Sequence, residues 1–262
     1  MYADLHTHSE YSHDSECSVY DMALAQKEKG TSVFCVTDHF GFPNRCDEES
    51  VEKIKNSYSV ARNTKIEGVE ILAGVEIACG DRCADTVKKL FDFCDFDLII
   101  GSVHGVDFNG RFLRPSVTDF SIFNKAETQV IIDTYFNYLY NVIEFGCDTV
   151  AHISYLARYV KQFDINENIN KFKDAFKLII EKDIALEINT GYLKKNNCDF
   201  APSRDLLKVY KDMGGKKITL GSDAHKKENA SFGFNEAKEM LASLDIHTAF
   251  YYKKRQPIEY EI

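Results

Sequence analysis

The sequence predicts a parallel α/β barrel, a ring of about seven β-then-α units closed or nearly closed on itself. Short apolar runs rich in Val, Ile, Leu and Phe alternate along the chain with longer amphipathic ones. The apolar runs lack strict polar alternation, as strands buried on both faces do. An open doubly wound sheet is the alternative, but neither a G-x-G-x-x-G fingerprint nor a Walker A motif supports a nucleotide-binding version of it.

Each unit can be read in turn. The first apolar run, 2–8, leads to a helical segment 18–29 that opens on a serine of cap type and stops at Gly30. Run 32–39 precedes helix 48–62, run 69–79 precedes helix 84–93, and run 97–104 precedes helix 125–145. Gly146 stands where that last helix should end. Runs 149–154, 184–190 and 217–223 precede helices 168–182, 203–212 and 235–244, with Gly214 and Gly215 after the second of these helices. The aromatic stretch 248–252 reads as a last strand, an interface or a closure of the barrel.

A length of 262 residues would suggest nearly two domains by rule of thumb, but barrels of this size fold as one, so a single domain over 1–262 is expected. The 44% hydrophobic and 28% charged fractions are those of a globular chain rather than a disordered one. With 32 basic against 41 acidic side chains the net charge is −9, which argues against nucleic acid and anionic membrane as partners. An anionic ligand would need positive charge gathered locally, by metal ions or a few arginines. No apolar run approaches the roughly 20 residues that span a bilayer, and the N-terminus has no export signal, so a cytoplasmic enzyme is expected. The eight cysteines are scattered without a C-x-x-C pair and read mostly as reduced core residues. Oligomeric state stays open.

Chemistry is concentrated at the C-terminal ends of the predicted strands, where β/α barrels build their active sites. The first strand carries Asp4-Leu5-His6-Thr7-His8, placing His6 and His8 two apart on one face, with Asp14 six residues later. The following strands contribute Thr37-Asp38-His39, Gly74-Val75-Glu76, Gly101-Ser102-Val103-His104, Ala151-His152 and Gly221-Ser222-Asp223-Ala224-His225. Six of the eight histidines thus fall at one rim, and with Asp14, Glu76 and Asp223 they make nine donors. That is too many for one tetrahedral ion and suits three ions sharing a carboxylate. His13 is expected to point elsewhere, and His247 to lie on the surface.

As an ordered set, these motifs resemble the polymerase-and-histidinol-phosphatase (PHP) superfamily of metal-dependent phosphoesterases, over Asp4 to His225. Length and spacing resemble its histidinol-phosphatase branch rather than its polymerase modules. The resemblance implies a distorted (β/α)7 barrel. It implies one divalent ion on His6, His8, Glu76 and Asp223, a second on Glu76, His104 and His152, and a third on Asp14, His39 and His225. Zinc, manganese and iron all suit such donors.

The implied reaction is hydrolysis of a small phosphomonoester, L-histidinol phosphate to L-histidinol and phosphate, by in-line attack of a metal-bridging hydroxide. Asp223 or His225 would carry the proton to the leaving alkoxide, and Glu76 is essential as the shared ligand. Arg45, Arg158 and Arg204 lie in rim loops and are candidate phosphate ligands, with Arg111 and Arg114 behind them. Glu10 is a candidate partner for a substrate amine. After His104 the chain reads Gly105-Val106-Asp107-Phe108-Asn109-Gly110, where histidinol phosphatases carry an aromatic-rich loop. This keeps a nucleotide or nucleic-acid end open as the alternative substrate.

Overall fold

The computed structural model describes residues 2–41, 46–78, 83–194 and 199–262. In chain order the strands are β1 (Ala3–Thr7), β2 (Val33–Val36), β3 (His39–Phe40), β4 (Glu70–Ala78), β5 (Leu98–Ser102), β6 (Val106–Phe108), β7 (Arg111–Leu113), β8 (Thr149–Val150), β9 (Ala185–Asn189), β10 (Ile218–Gly221), β11 (Thr248–Lys253) and β12 (Gln256–Glu261). The helices are α1 (Val19–Glu28), α2 (Glu48–Asn63), α3 (Ala84–Phe93), α4 (Lys125–Phe145), α5 (Ile169–Glu181), α6 (Arg204–Asp212) and α7 (Phe234–Ser243).

Seven strands form the expected parallel ring in the order β1-β2-β4-β5-β8-β9-β10, with short β3 added beside β4. The ring nearly closes between its first and last strands. A bridge joins Thr7 to Ala224, and the His8 N–H donates to the Ala224 carbonyl at 2.9 Å. Asp4 reinforces this seam from full burial, accepting from the Ser222 N–H at 2.9 Å, the Ser222 hydroxyl at 2.6 Å and the Gln26 amide at 2.6 Å.

The helices form where the sequence places them because their ends are chemically marked. Ser18, Asp47 and Ser203 cap α1, α2 and α6 through side-chain oxygens that accept backbone N–H groups. α4 starts on a capping box of Asn124 and Glu127 and ends at Gly146, whose φ of 103° no ordinary residue adopts cheaply. Its buried face, including Ile131, Tyr135, Phe136 and Leu139, joins residues of the ring strands in the larger of two hydrophobic clusters, the smaller packing α1 against β2 and β4. No helix among the described residues is long and apolar enough to cross a membrane.

Two hairpins escape the sequence pattern. The loop after His104 folds as β6–β7, tied to α4 by the Tyr138 hydroxyl, which donates to Asp107 at 2.7 Å. The C-terminal stretch forms β11–β12, and its turn closes the face of the barrel opposite the predicted site. There the Lys254 N–H donates to the Asp97 carboxylate at 3.0 Å, and the Arg255 guanidinium meets Asp148 at 3.1 Å, both acids standing just before strands of the ring. Lys254 and Arg255 both have positive φ, so this anchor holds an otherwise unfavourable turn. Arg255→Ala is expected to lower stability by about 1–2 kcal/mol, the guanidinium being partly exposed and Asp148 nearly buried. Urea unfolding with an unchanged midpoint would show that the turn contributes nothing.

The cysteine reading needs one correction. Cys35, Cys94 and Cys147 are buried free thiols as expected, but Cys46 and Cys83 form a disulfide, with Cα atoms 6.0 Å apart. The pairing fits the topology, because β3 and β4 are neighbours and Cys46 and Cys83 stand just before the helices that follow them. Cys79 and Cys198 lie outside the described residues.

Candidate active site

The nine predicted donors converge at the rim in three overlapping groups. His6 Nε2 lies 3.4 Å from Glu76 Oε2 and 3.8 Å from Asp223 Oδ1, while His8 Nε2 lies 3.7 and 3.3 Å from the same two oxygens. His104 Nε2 and His152 Nε2 lie 3.2 and 3.1 Å from the other Glu76 oxygen and 3.2 Å from each other. His39 Nε2 and His225 Nε2 lie 3.6 and 3.3 Å from Asp14 Oδ2. Nitrogen and oxygen ligands about 2.0–2.1 Å from a tetrahedral ion stand about 3.3 Å apart, so each group has the spacing of a coordination shell. Glu76 faces all three groups: Oε2 stands near His6 and His8 and 2.6 Å from His39 Nδ1, and Oε1 stands near His104 and His152.

The donors also behave as ligands in their bonding. His6 Nε2 and His8 Nε2 are buried without a hydrogen-bond partner, a costly state that a cation between them and the carboxylates would relieve. Their other ring nitrogens are held: His6 Nδ1 lies 2.6 Å from Glu187 Oε1, and His8 Nδ1 lies 3.1 Å from the Ser12 hydroxyl. Such contacts orient the ring and leave Nε2 for the metal. Divalent ions therefore fit these residues.

Electrostatics point the same way. Burial pushes the Glu76 carboxyl up, but the neighbouring rings of His104, His39 and His6 outweigh it and hold the group well below the usual carboxylate range. Burial likewise opposes ionisation of Asp223, and His6, His8 and His225 override it. Burial disfavours charge on His39, yet Glu76 and Asp14 lift its ring to about 10. Burial and the neighbouring His225 and His39 rings hold His8 well below its ordinary value. Ionised carboxylates set among imidazoles that cannot all be protonated form a nest for exchange of protons against cations.

Backbone geometry places several of these side chains. His152 and Asp223 have positive φ values of 28° and 51°, a conformation non-glycine residues adopt at a cost of about 1–3 kcal/mol and one that clusters at functional sites. In β1 the register against β2 shifts between Asp4 and Thr7, a bulge that separates the surroundings of Asp4 from those of His6. Asp38 is fully buried and accepts from the Ser9 and Ser12 hydroxyls at 2.6 and 2.7 Å, fixing the loop that carries Asp14.

The outer candidates divide. Arg158 ends a short turn after His152, with its guanidinium 4.3 Å over the Tyr192 ring and its Nε buried without a hydrogen-bond partner. Arg204 is a correction: it opens α6, half exposed, and its Nε donates to the Ser243 hydroxyl at the end of α7, so the helix layer engages it rather than the rim centre. Arg45 lies outside the described residues. Glu10 is exposed in the loop after β1, its carboxyl raised by partial burial and by the charge of Asp38. His247 is exposed beside Asp245, as expected.

His13 corrects the spacing argument. The turn closed by the Ser12 N–H to the Ser9 carbonyl at 2.9 Å brings its Nε2 to 3.7 Å from Asp14 Oδ2, with its ring 5.3 Å from that of His39.

Two further residues went unread. Glu187, buried on β9, holds His6 and also accepts from the His152 N–H at 2.8 Å, so one carboxylate steadies two of the groups. A glutamate inside the apolar run Ala-Leu-Glu-Ile was the available signal. Lys194 donates to the Ser222 carbonyl at 3.3 Å; burial pushes its ammonium down, while Asp223 and Asp4 pull it up and Arg158 pushes it down.

The fold and the donor groups together define a β/α barrel built to hold divalent metal ions. The chain belongs to the PHP domain family, whose model matches residues 4–191. Among curated proteins it is 27% identical to a "Probable histidinol-phosphatase" of Clostridium acetobutylicum, over 97% of this chain and 98% of that protein. It is 26% identical to the histidinol-phosphatase of Lactococcus lactis, over 93% of this chain and 91% of that protein. Its fold is that of the Lactococcus lactis histidinol phosphate phosphatase crystallised with zinc, L-histidinol and phosphate, at a TM-score of 0.78, 24% identity and 98% coverage of both chains.

Proposed function

We propose that this chain is a metal-dependent phosphomonoesterase that hydrolyses L-histidinol phosphate to L-histidinol and phosphate. The observation that carries the proposal is Glu76, a buried carboxylate with one oxygen at coordination spacing from His6 and His8 and the other from His104 and His152. Support for the substrate comes from the relatives: two bear this activity in their names, and the fold neighbour holds both products of the reaction. Three ions would be held, by His6, His8, Glu76 and Asp223, by Glu76, His104 and His152, and by Asp14, His39 and His225. Zinc, manganese or iron in these places would acidify water and neutralise phosphoryl oxygens.

The protein's own groups complete the chemistry. Arg158, Lys194 and Arg45 pair with the phosphoryl oxygens, which carry the charge that builds as water oxygen joins phosphorus and the ester P–O bond breaks. Asp223 or His225 delivers the proton that the departing alkoxide needs. Glu10 meets the substrate's ammonium.

The test is phosphate release by zinc- or manganese-loaded protein from L-histidinol phosphate, nucleoside monophosphates and a short DNA strand, with metal content measured on the same sample. Preference for histidinol phosphate is expected; release from nucleotides alone would overturn the substrate. Arg158→Ala should raise KM for the phosphomonoester about tenfold or more, the size of a lost charged hydrogen bond. An unchanged KM would remove Arg158 from the phosphate site.

A further inference from the structure

We infer that His13 is a fourth protein ligand to the ion placed at Asp14, His39 and His225, closing that coordination shell from the solvent side. This rests on the three-ion reading and adds a residue to it. Asp14 Oδ2 is the common point: the Nε2 atoms of His225, His39 and His13 lie 3.3, 3.6 and 3.7 Å from it. One ligand atom from each of His13, Asp14 and His39 lies within 4.8 Å of the others, so a small ring rotation brings a fourth donor onto a shared ion.

The need for a fourth donor follows from exposure. Side chains facing the other two groups are buried apart from Asp223 at 22%, with His6, His8 and Glu76 at 0% and His104 at 9% exposed. The outer group opens to solvent, with Asp14 at 41% and His225 at 26%. An ion held there by three protein donors would compete with bulk water at its open position and be the first one lost. Four protein donors make the closed shell typical of retained zinc, whereas three leave the open position typical of catalytic zinc. His13, with a side chain 20% exposed, sits where it can supply that donor and still withdraw.

The experiment uses the full chain loaded with cobalt(II) under a phosphine reductant. His13→Cys should give a near-ultraviolet thiolate-to-cobalt charge-transfer band as the third ion binds, and Asp14→Cys should do the same as a positive control. His13→Ala should bind its weakest ion at least about tenfold less tightly in a chelator competition, while His13→Gln, which keeps a hydrogen bond to Asp14 but is a poor ligand, should not restore it. Three ions bound, a band from Asp14→Cys and none from His13→Cys would overturn the role of His13 and leave the three-ion reading standing. Failure of the unaltered protein to bind a third ion would overturn both.

Discussion

Glu76→Gln is expected to lower kcat by about a thousandfold or more while the barrel stays folded. The carboxylate offers one oxygen to each of two donor groups, so its loss weakens both shells at once. Removing several kcal/mol of charge stabilisation from a phosphoryl transition state corresponds to at least three factors of ten in rate. Glutamine has nearly the same volume, and the residue is surrounded by imidazoles rather than apolar packing, so the core is not disturbed. Bound metal per chain and kcat should fall together, with an unchanged far-ultraviolet spectrum. A Glu76→Gln protein that turns over normally with its full metal complement would end the proposed mechanism.

Glu187→Gln should produce the next largest effect, through residues it holds rather than through substrate. Its carboxylate lies 2.6 Å from His6 Nδ1 and accepts the His152 N–H at 2.8 Å. Burial disfavours charge on His6, and the carboxylates of Glu187, Glu76 and Asp223 outweigh it and raise the ring well above its ordinary value. Replacing the first of these with an amide makes the ring a poorer metal donor, and losses of about 10–100-fold in metal affinity are typical for such partners. The signature is a drop in activity that excess metal restores, which loss of a direct phosphate contact would not show. Gly221 makes a steric counterpart: a Cβ there would run into Glu187 Oε1 and stand 2.6 Å from the His6 Cβ. Gly221→Ala should therefore displace both residues and fail to respond to added metal.

The strands and the donor set were legible because both depend on local pattern. Runs buried on both faces are continuously apolar, and any histidine or carboxylate at their C-terminal ends stands out, as His104 and Asp223 do. What supports the donors was not legible, because it depends on which strands become neighbours. Asp4 belongs to the same D-L-H-T-H motif as His6, yet a bulge turns it to the seam instead of the rim. Glu187 and Lys194 act through contacts to residues more than 25 positions away. His13 was misplaced because its loop follows a hydrogen-bonded turn rather than a regular period. Arg204 was misread because the start of a rim-facing helix can point outward as easily as inward. The β11–β12 turn binds acids at the far face, which no periodicity in 248–252 announces.

The seam between the first and last ring strands has a consequence for how the chain is made. Asp4 finds its partner Ser222 only after 218 further residues have been synthesised. At about 5–20 residues per second this interval lasts roughly ten to forty seconds on a ribosome. Throughout it β1 presents an open hydrogen-bonding edge, and His6 and His8 wait without Asp223. A nascent chain halted before β10 should therefore be a sticky, half-built sheet. Premature termination anywhere before β10 then costs the cell a client for its chaperones rather than a weakened enzyme.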